Sequence, residues 1–89
     1  MATHPQGSLR RAIGLRLRKF REESGITSQE KLAARAGVHR TYIGRLERGE
    51  NGVTVDMLAA ILAAVETSLA AFFEPFDQPV RPRTPRKRE

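Results

Sequence analysis

Residues 29–49 read QEKLAARAGVHRTYIGRLERG, and the fold turns on this stretch. Gln29 to Ala36 carries Leu32, Ala33 and Ala36 at helical spacing. Gly37 then interrupts the pattern where a left-handed residue can close a helix. A second helix is expected from about His39 to Arg48, with Val38, Ile43 and Leu46 turned inward and His39 as its cap.

Two helices joined by a short turn containing glycine form a helix-turn-helix, whose second helix can enter the major groove of DNA. The flanking sequence supplies support for such a pair. Leu9, Ile13, Leu17 and Phe20 share one face of a first helix from about Leu9 to Ser24, with Ser8 as a cap and Gly25 as a left-handed end. Arg11, Arg18 and Glu22 lie on its opposite, charged face. Two caps compete for the helix at 29: Ser28 directly, or Thr27 with Glu30 as a capping box.

Gly49-Glu50-Asn51-Gly52 is a turn cluster. Beyond it Leu58, Ile61, Leu62 and Val65 mark a helix from about Thr54 to Val65, with Val55 and Met57 off the stripe. A fifth helix begins near Thr67 or Ser68, holds Leu69, Phe72 and Phe73, and cannot pass Pro75. The chain is therefore expected to be all-α, with five helices and no strand. Residues 9–76 make one domain, preceded by a disordered lead over 1–8 and followed by a basic, proline-rich tail over 77–89.

Eighty-nine residues give only a modest core. No cysteine is present, which excludes disulfides and thiolate metal sites; with two histidines, no metal or other cofactor is expected. No apolar run approaches the ~18 residues of a membrane span, and MATHPQGSLRR lacks a signal-peptide core. A cytoplasmic location away from the membrane is expected. Of the net charge of +6, residues 9–76 contribute half (11 Lys/Arg against 8 Asp/Glu) and residues 77–89 the other half (5 against 2). Such a balance suits a polyanionic partner without identifying one. Enzyme chemistry finds no foothold: there is no phosphate loop after a strand, no metal cluster and no Ser/His/Asp set.

The order Gln29-x-x-Leu32-Ala33-x-x-x-Gly37-Val38-x-x-x-x-Ile43-x-x-Leu46-Glu47-x-Gly49 resembles the Cro/lambda-repressor type of helix-turn-helix domain. Arg21 before Gly25, and the Leu58…Val65, Ser68-Leu69…Phe72-Phe73 ending, extend the likeness over about residues 9–74. Among such domains the chain is similar in size to the small dimeric regulators, the controller proteins of restriction–modification systems in particular. The resemblance implies a five-helix, DNA-binding homodimer on palindromic operators, with helix 5 and the end of helix 4 as interface. The chain departs from the pattern in a longer link at Gly25–Ser28, in Val53 for a proline, and in Glu66 where glycine usually closes helix 4. A non-glycine residue there costs roughly 1 kcal/mol.

Arg40, Thr41 and Arg45 fall on the outward, N-terminal side of the second helix of the motif, and Thr41 and Arg45 share a face. Arginine can grip guanine bidentately and threonine can touch a thymine methyl. By resemblance these positions read bases, against the plain alternative of a solvated face. Gly44 is expected on the same side, allowing close approach. Gln29, with the free N–H groups of its helix start, is a phosphate contact, joined by His39, Arg48 and Asn51. Tyr42 either meets a phosphate or packs on the preceding helix. The resemblance also pairs Glu47 with Arg21, as a buried tie or as a weak exposed one.

Val65, Leu69, Phe72, Phe73 and Phe76, with Met57, Ala60 and Ala64, exceed what so small a core absorbs. A two-fold interface would bury the surplus; the alternative places Leu69, Phe72, Phe73 and Phe76 all in the monomer core. Arg81, Arg83, Arg86, Lys87 and Arg88 either follow the DNA backbone or keep the tail soluble. The function expected is sequence-specific transcriptional regulation, on operator DNA as a homodimer, by blocking or recruiting RNA polymerase. The alternative is an antitoxin or bridging module that uses the same fold mainly to hold another protein, through the tail or residues 75–80.

Overall fold

A computed structural model describes residues 5–76. Residues 1–4 and the basic tail expected over 77–89 lie outside the described residues. Five helices follow one another: α1 (Pro5–Glu23), α2 (Gln29–Ala36), α3 (Arg40–Glu47), α4 (Val55–Ala64) and α5 (Leu69–Phe73). No strand occurs among the described residues.

Side chains set most helix starts. Ser28 Oγ accepts from the Lys31 N–H at 3.1 Å, which settles the register of α2 in favour of Ser28. His39 Nδ1 accepts from the Thr41 N–H at 3.1 Å. Thr54 Oγ1 and Ser68 Oγ do the same for the N–H groups of Met57 and Ala71. The start of α1 differs from expectation. It begins at Pro5, so Ser8 lies inside the helix instead of capping it. Proline suits the first helical position, because its fixed φ is preset for the helix and its missing N–H would be unpaired there anyway. The apolar stripe, which begins only at Leu9, carries no sign of this extra turn.

Gly25 and Gly37 close α1 and α2 at φ +80° and +75°. Glu66 takes the same left-handed conformation at φ +57°. Its N–H donates to Ala63 O and the Thr67 N–H to Leu62 O, each at 3.0 Å. That pair of bonds is a Schellman end, made here without glycine.

The core gathers Leu17 from α1, Leu32 and Ala33 from α2, Ile43 and Leu46 from α3, Leu58, Ile61, Leu62 and Val65 from α4, and Phe72 from α5. Ile26, in the link between α1 and α2, is also buried. Helix α3 packs against both α1 and α2, α2 against α4, and α5 against α4. Val55 is exposed and Met57 half-buried.

Helix α5 spans only five residues and is held by more than its own turns. The Arg16 guanidinium of α1 donates through Nη2 to Ala71 O at 3.0 Å and through Nε to Phe72 O. It also lies over the Phe20 ring, 4.6 Å from the centroid, where the ring quadrupole attracts a cation. Around this clasp Phe20, Phe72, Phe73 and Phe76 form one aromatic group, with Phe72–Phe73 edge to face at 5.0 Å and Phe73–Phe76 at 5.3 Å.

The expected interface set is corrected at two members. Phe72 has no exposed surface and Val65 almost none, so both belong to the monomer core. Helix α5 turns Phe72 inward under Arg16, and its neighbours then fall at the margin. Leu69, Phe73 and Phe76 remain half-buried, and Ala60 is exposed.

Candidate DNA-binding surface

Helix α3 presents Arg40, Thr41 and Arg45, all exposed. His39 caps the helix and also stays exposed, so the start of α3 carries a free edge of polar and cationic groups. The opposite side, Ile43 and Leu46, is fixed in the core. The burial of that side is what keeps the exposed edge outward.

The base of α3 is tied down by a buried ion pair. Arg21 Nε lies 2.6 Å from Glu47 Oε2 and Arg21 Nη2 3.1 Å from Glu47 Oε1, with the two residues 5% and 6% exposed. Arg21 Nη1 donates to Ile26 O at 3.1 Å. Gln29 Nε2 donates to Glu47 Oε1 at 2.9 Å. The hydrogen bond to Glu47 holds the Arg21 guanidinium above its usual pKa, so the guanidinium keeps its charge although it is buried. One carboxylate thereby joins the end of α1, the start of α2 and the end of α3, and among the described residues no buried side-chain polar atom is left without a partner.

This network alters the expectation for Gln29. Its amide nitrogen donates one of its two N–H groups inward to Glu47, which fixes the side chain at the start of α2 and leaves its second N–H beside the first backbone N–H groups of the helix, which no helix can satisfy internally. Gly44 also differs from expectation. It is buried, and a Cβ there would stand 3.0 Å from Gln29 Oε1 and 3.1 Å from Arg48 Nη1. The space that glycine leaves is filled by these two side chains.

Tyr42 is half-buried against the core cluster. Arg48 is exposed and bound to Glu50, Nε to Oε2 at 2.8 Å and Nη2 to Oε1 at 3.3 Å. This hydrogen-bonded pairing, with the nearby charge of Arg45, holds the Glu50 carboxyl below the usual carboxylate range. Asn51 lines a shallow cleft of about 200 Å³ with Leu9, Arg10, Ile13, Leu46, Gly52 and Val53.

Two cations were not expected at this surface: Arg10 was not singled out from sequence, and Arg11 was placed only on the charged face of the first helix. The Arg11 backbone packs against Gly49, 2.8 Å from where a Cβ would stand, and the Arg10 guanidinium lies beside Gly52. Both residues are exposed, and both flank the turn that follows α3. Nothing in the local sequence of α1 signals this, because the approach depends on how α1 crosses α3.

The helix-turn-helix family model HTH_3 matches residues 17–72, and the chain belongs to that family of DNA-binding transcriptional regulators. It is 43% identical over 53 residues to the control protein C.SmaI of Serratia marcescens, a match covering 60% of this chain and 62% of that protein. With the control protein C.BamHI of Bacillus amyloliquefaciens it shares 38% identity over 58 residues, 65% of this chain and 72% of the relative. Its fold is similar to the crystal structure of the clp gene regulator ClgR from C. glutamicum, with a TM-score of 0.70 at 35% identity over 74% of this chain and 83% of that one. Among the described residues no helix is long and apolar enough to cross a membrane.

Proposed function

We propose that the protein is a homodimeric, sequence-specific regulator that reads a palindromic operator with Arg40, Thr41 and Arg45. The observation that carries this reading is that the three side chains form an exposed edge on α3 while the buried Arg21–Glu47 pair fixes the base of the same helix. A rigid, outward edge is what base reading needs, since phosphate contacts position a protein and base contacts specify the sequence. Gln29 and the backbone N–H groups at the start of α2, with His39, Tyr42, Arg48 and Asn51, supply the phosphate contacts. Two recognition helices then fall in successive major grooves, roughly 34 Å apart.

The second copy is held through Leu69, Phe73 and Phe76, the half-buried remainder of the aromatic group. Operator position sets whether the bound dimer blocks or recruits RNA polymerase, and the protein works in the cytoplasm, where its DNA is. The relatives that are control proteins favour the same task here, control within a restriction–modification system.

The deciding experiment is a gel shift with footprinting on DNA upstream of the protein's own gene. Two protected half-sites in two-fold symmetry are expected; no retention of that DNA or of a random-sequence duplex library would defeat the proposal. Replacing Arg45 with alanine is expected to weaken operator binding by about 1–3 kcal/mol and to relax preference at one base pair per half-site. An equal loss on every sequence would assign Arg45 to phosphate instead. Phe73→Glu is expected to give monomers in sedimentation velocity with the far-UV spectrum retained, because a charge then sits where apolar surface must be buried. An unchanged dimer would move the interface elsewhere.

A further inference from the structure

We infer that Glu50 is an internal stand-in for phosphate: its carboxylate occupies the Arg48 fork when DNA is absent and so limits the protein's grip on the DNA backbone. The inference rests on the reading of α3 and its following turn as the DNA-facing side.

Three contacts define the arrangement. The Arg48 guanidinium lies along α3 at Gly44, in space that a Cβ would take. From its other side Glu50 receives two parallel hydrogen bonds, at 2.8 and 3.3 Å. The Glu50 backbone N–H donates to Arg45 O at 2.9 Å, which keeps the residue beside the helix end. Arginine presents its N–H groups in a planar fork that matches carboxylate and phosphate alike. The geometry that holds Glu50 is therefore the geometry that would hold a phosphate oxygen pair. Phosphate must displace the carboxylate before it gains Arg48, and the displaced carboxylate leaves a negative charge beside the backbone. Both effects oppose the sequence-independent part of binding. The arrangement restrains attachment to arbitrary DNA in a protein whose net charge is +6.

The test uses the full chain, an unrelated duplex, and Glu50→Gln beside Glu23→Gln as a control for net charge. Glu23 ends α1, 12 residues beyond Arg11, the α1 residue that packs on Gly49. Glu50→Gln is expected to bind the unrelated duplex about threefold to tenfold more tightly, with a salt dependence steeper by about one phosphate contact, a slope change near 0.9. Glu23→Gln is expected to change affinity less than about twofold. In an Arg48→Ala background the gain from Glu50→Gln is expected to fall below about twofold, the part due to the carboxylate's charge alone, with no change in slope. If the full gain persists there, Glu50 acts only as a bare repulsive charge and the stand-in role is wrong. If Glu50→Gln leaves affinity and slope unchanged while the wild type binds DNA, the inference fails and the DNA-binding reading stands. If Glu50→Gln weakens binding, Glu50 touches DNA directly and the inference also fails. A wild type that retains no duplex at all defeats the underlying reading instead.

Discussion

Replacing Gly14 with alanine is expected to lower the thermal midpoint by about 8–16 °C. A Cβ at position 14 would stand 2.2 Å from the Leu46 carbonyl oxygen, 2.6 Å from that of Glu47 and 2.8 Å from the Glu47 carbonyl carbon. All three are backbone atoms of α3 and cannot rotate away as a side chain would. Helices α1 and α3 must then separate, just where Arg21 and Glu47 bind. Overpacking a core typically costs about 1–3 kcal/mol, occasionally more, and this contact belongs at the upper end. Against it, alanine gains about 1 kcal/mol over glycine in a helix interior. The clash wins by roughly 2 kcal/mol, and each kcal/mol moves the midpoint of a domain this size by about 4–8 °C. Thermal melting followed by far-UV circular dichroism measures it. A midpoint unchanged or raised would mean that the crossing opens without loss.

That contact was not legible in the sequence. Gly14 sits within the stripe of α1 between Ile13 and Leu17 and reads there only as a poor helix former. Its meaning lies in the angle at which α3 crosses, which no local pattern encodes. The same limit hid Arg16, whose partners Ala71 and Phe72 are 55 and 56 residues away. Ile26 shows a different limit. As a single apolar residue in a link it has no periodicity, yet it is in the core. By contrast α2, α3 and α4 were legible to within a residue or two. Their starts are written in capping side chains at Ser28, His39 and Thr54, and their inward faces in a strict 3.6-residue spacing.

The candidate surface divides in the same way. The outward position of Arg40, Thr41 and Arg45 follows from Ile43 and Leu46 facing the core, so one helix's own pattern sufficed. What surrounds that edge did not follow. Gln29 and Arg48 fill the space over Gly44, Glu50 engages Arg48, and Arg10 and Arg11 approach from α1. Gln29 and Arg48 follow their carboxylate partners Glu47 and Glu50, while the approach of Arg10 and Arg11 is set by how α1 crosses α3. The segment proposed as a dimer surface was only partly legible. Its aromatic residues stand out in the sequence, but which rings turn inward depends on the clasp at Arg16, which places Phe72 in the core.

Removing the Glu47 carboxylate is expected to be the most damaging change near α3. Glu47→Ala leaves the Arg21 guanidinium buried without its counter-charge and strips Gln29 of its acceptor. Breaking one side of a buried pair costs about 3–5 kcal/mol, a large part of the roughly 5–15 kcal/mol that holds a domain together. The expected outcome is a chain largely unfolded at 37 °C, with a midpoint lowered by about 15 °C or more. A loss below about 1 kcal/mol would show that the pair behaves as an exposed one. The double variant Arg21→Met with Glu47→Leu separates charge from packing. Replacing both members of a buried pair by apolar groups of similar volume is often neutral or stabilising, so most of the stability should return. DNA binding should not return with it. The carboxylate is the atom group that α1, α2 and α3 hold in common, and its two hydrogen-bonded partners fix the angle of α3 and its exposed edge in a way that a leucine side chain does not. A double variant that is stable but weak on operator DNA is the expected result. One that is both stable and fully active would reduce the ion pair to a packing element and leave the orientation of α3 to the apolar core alone.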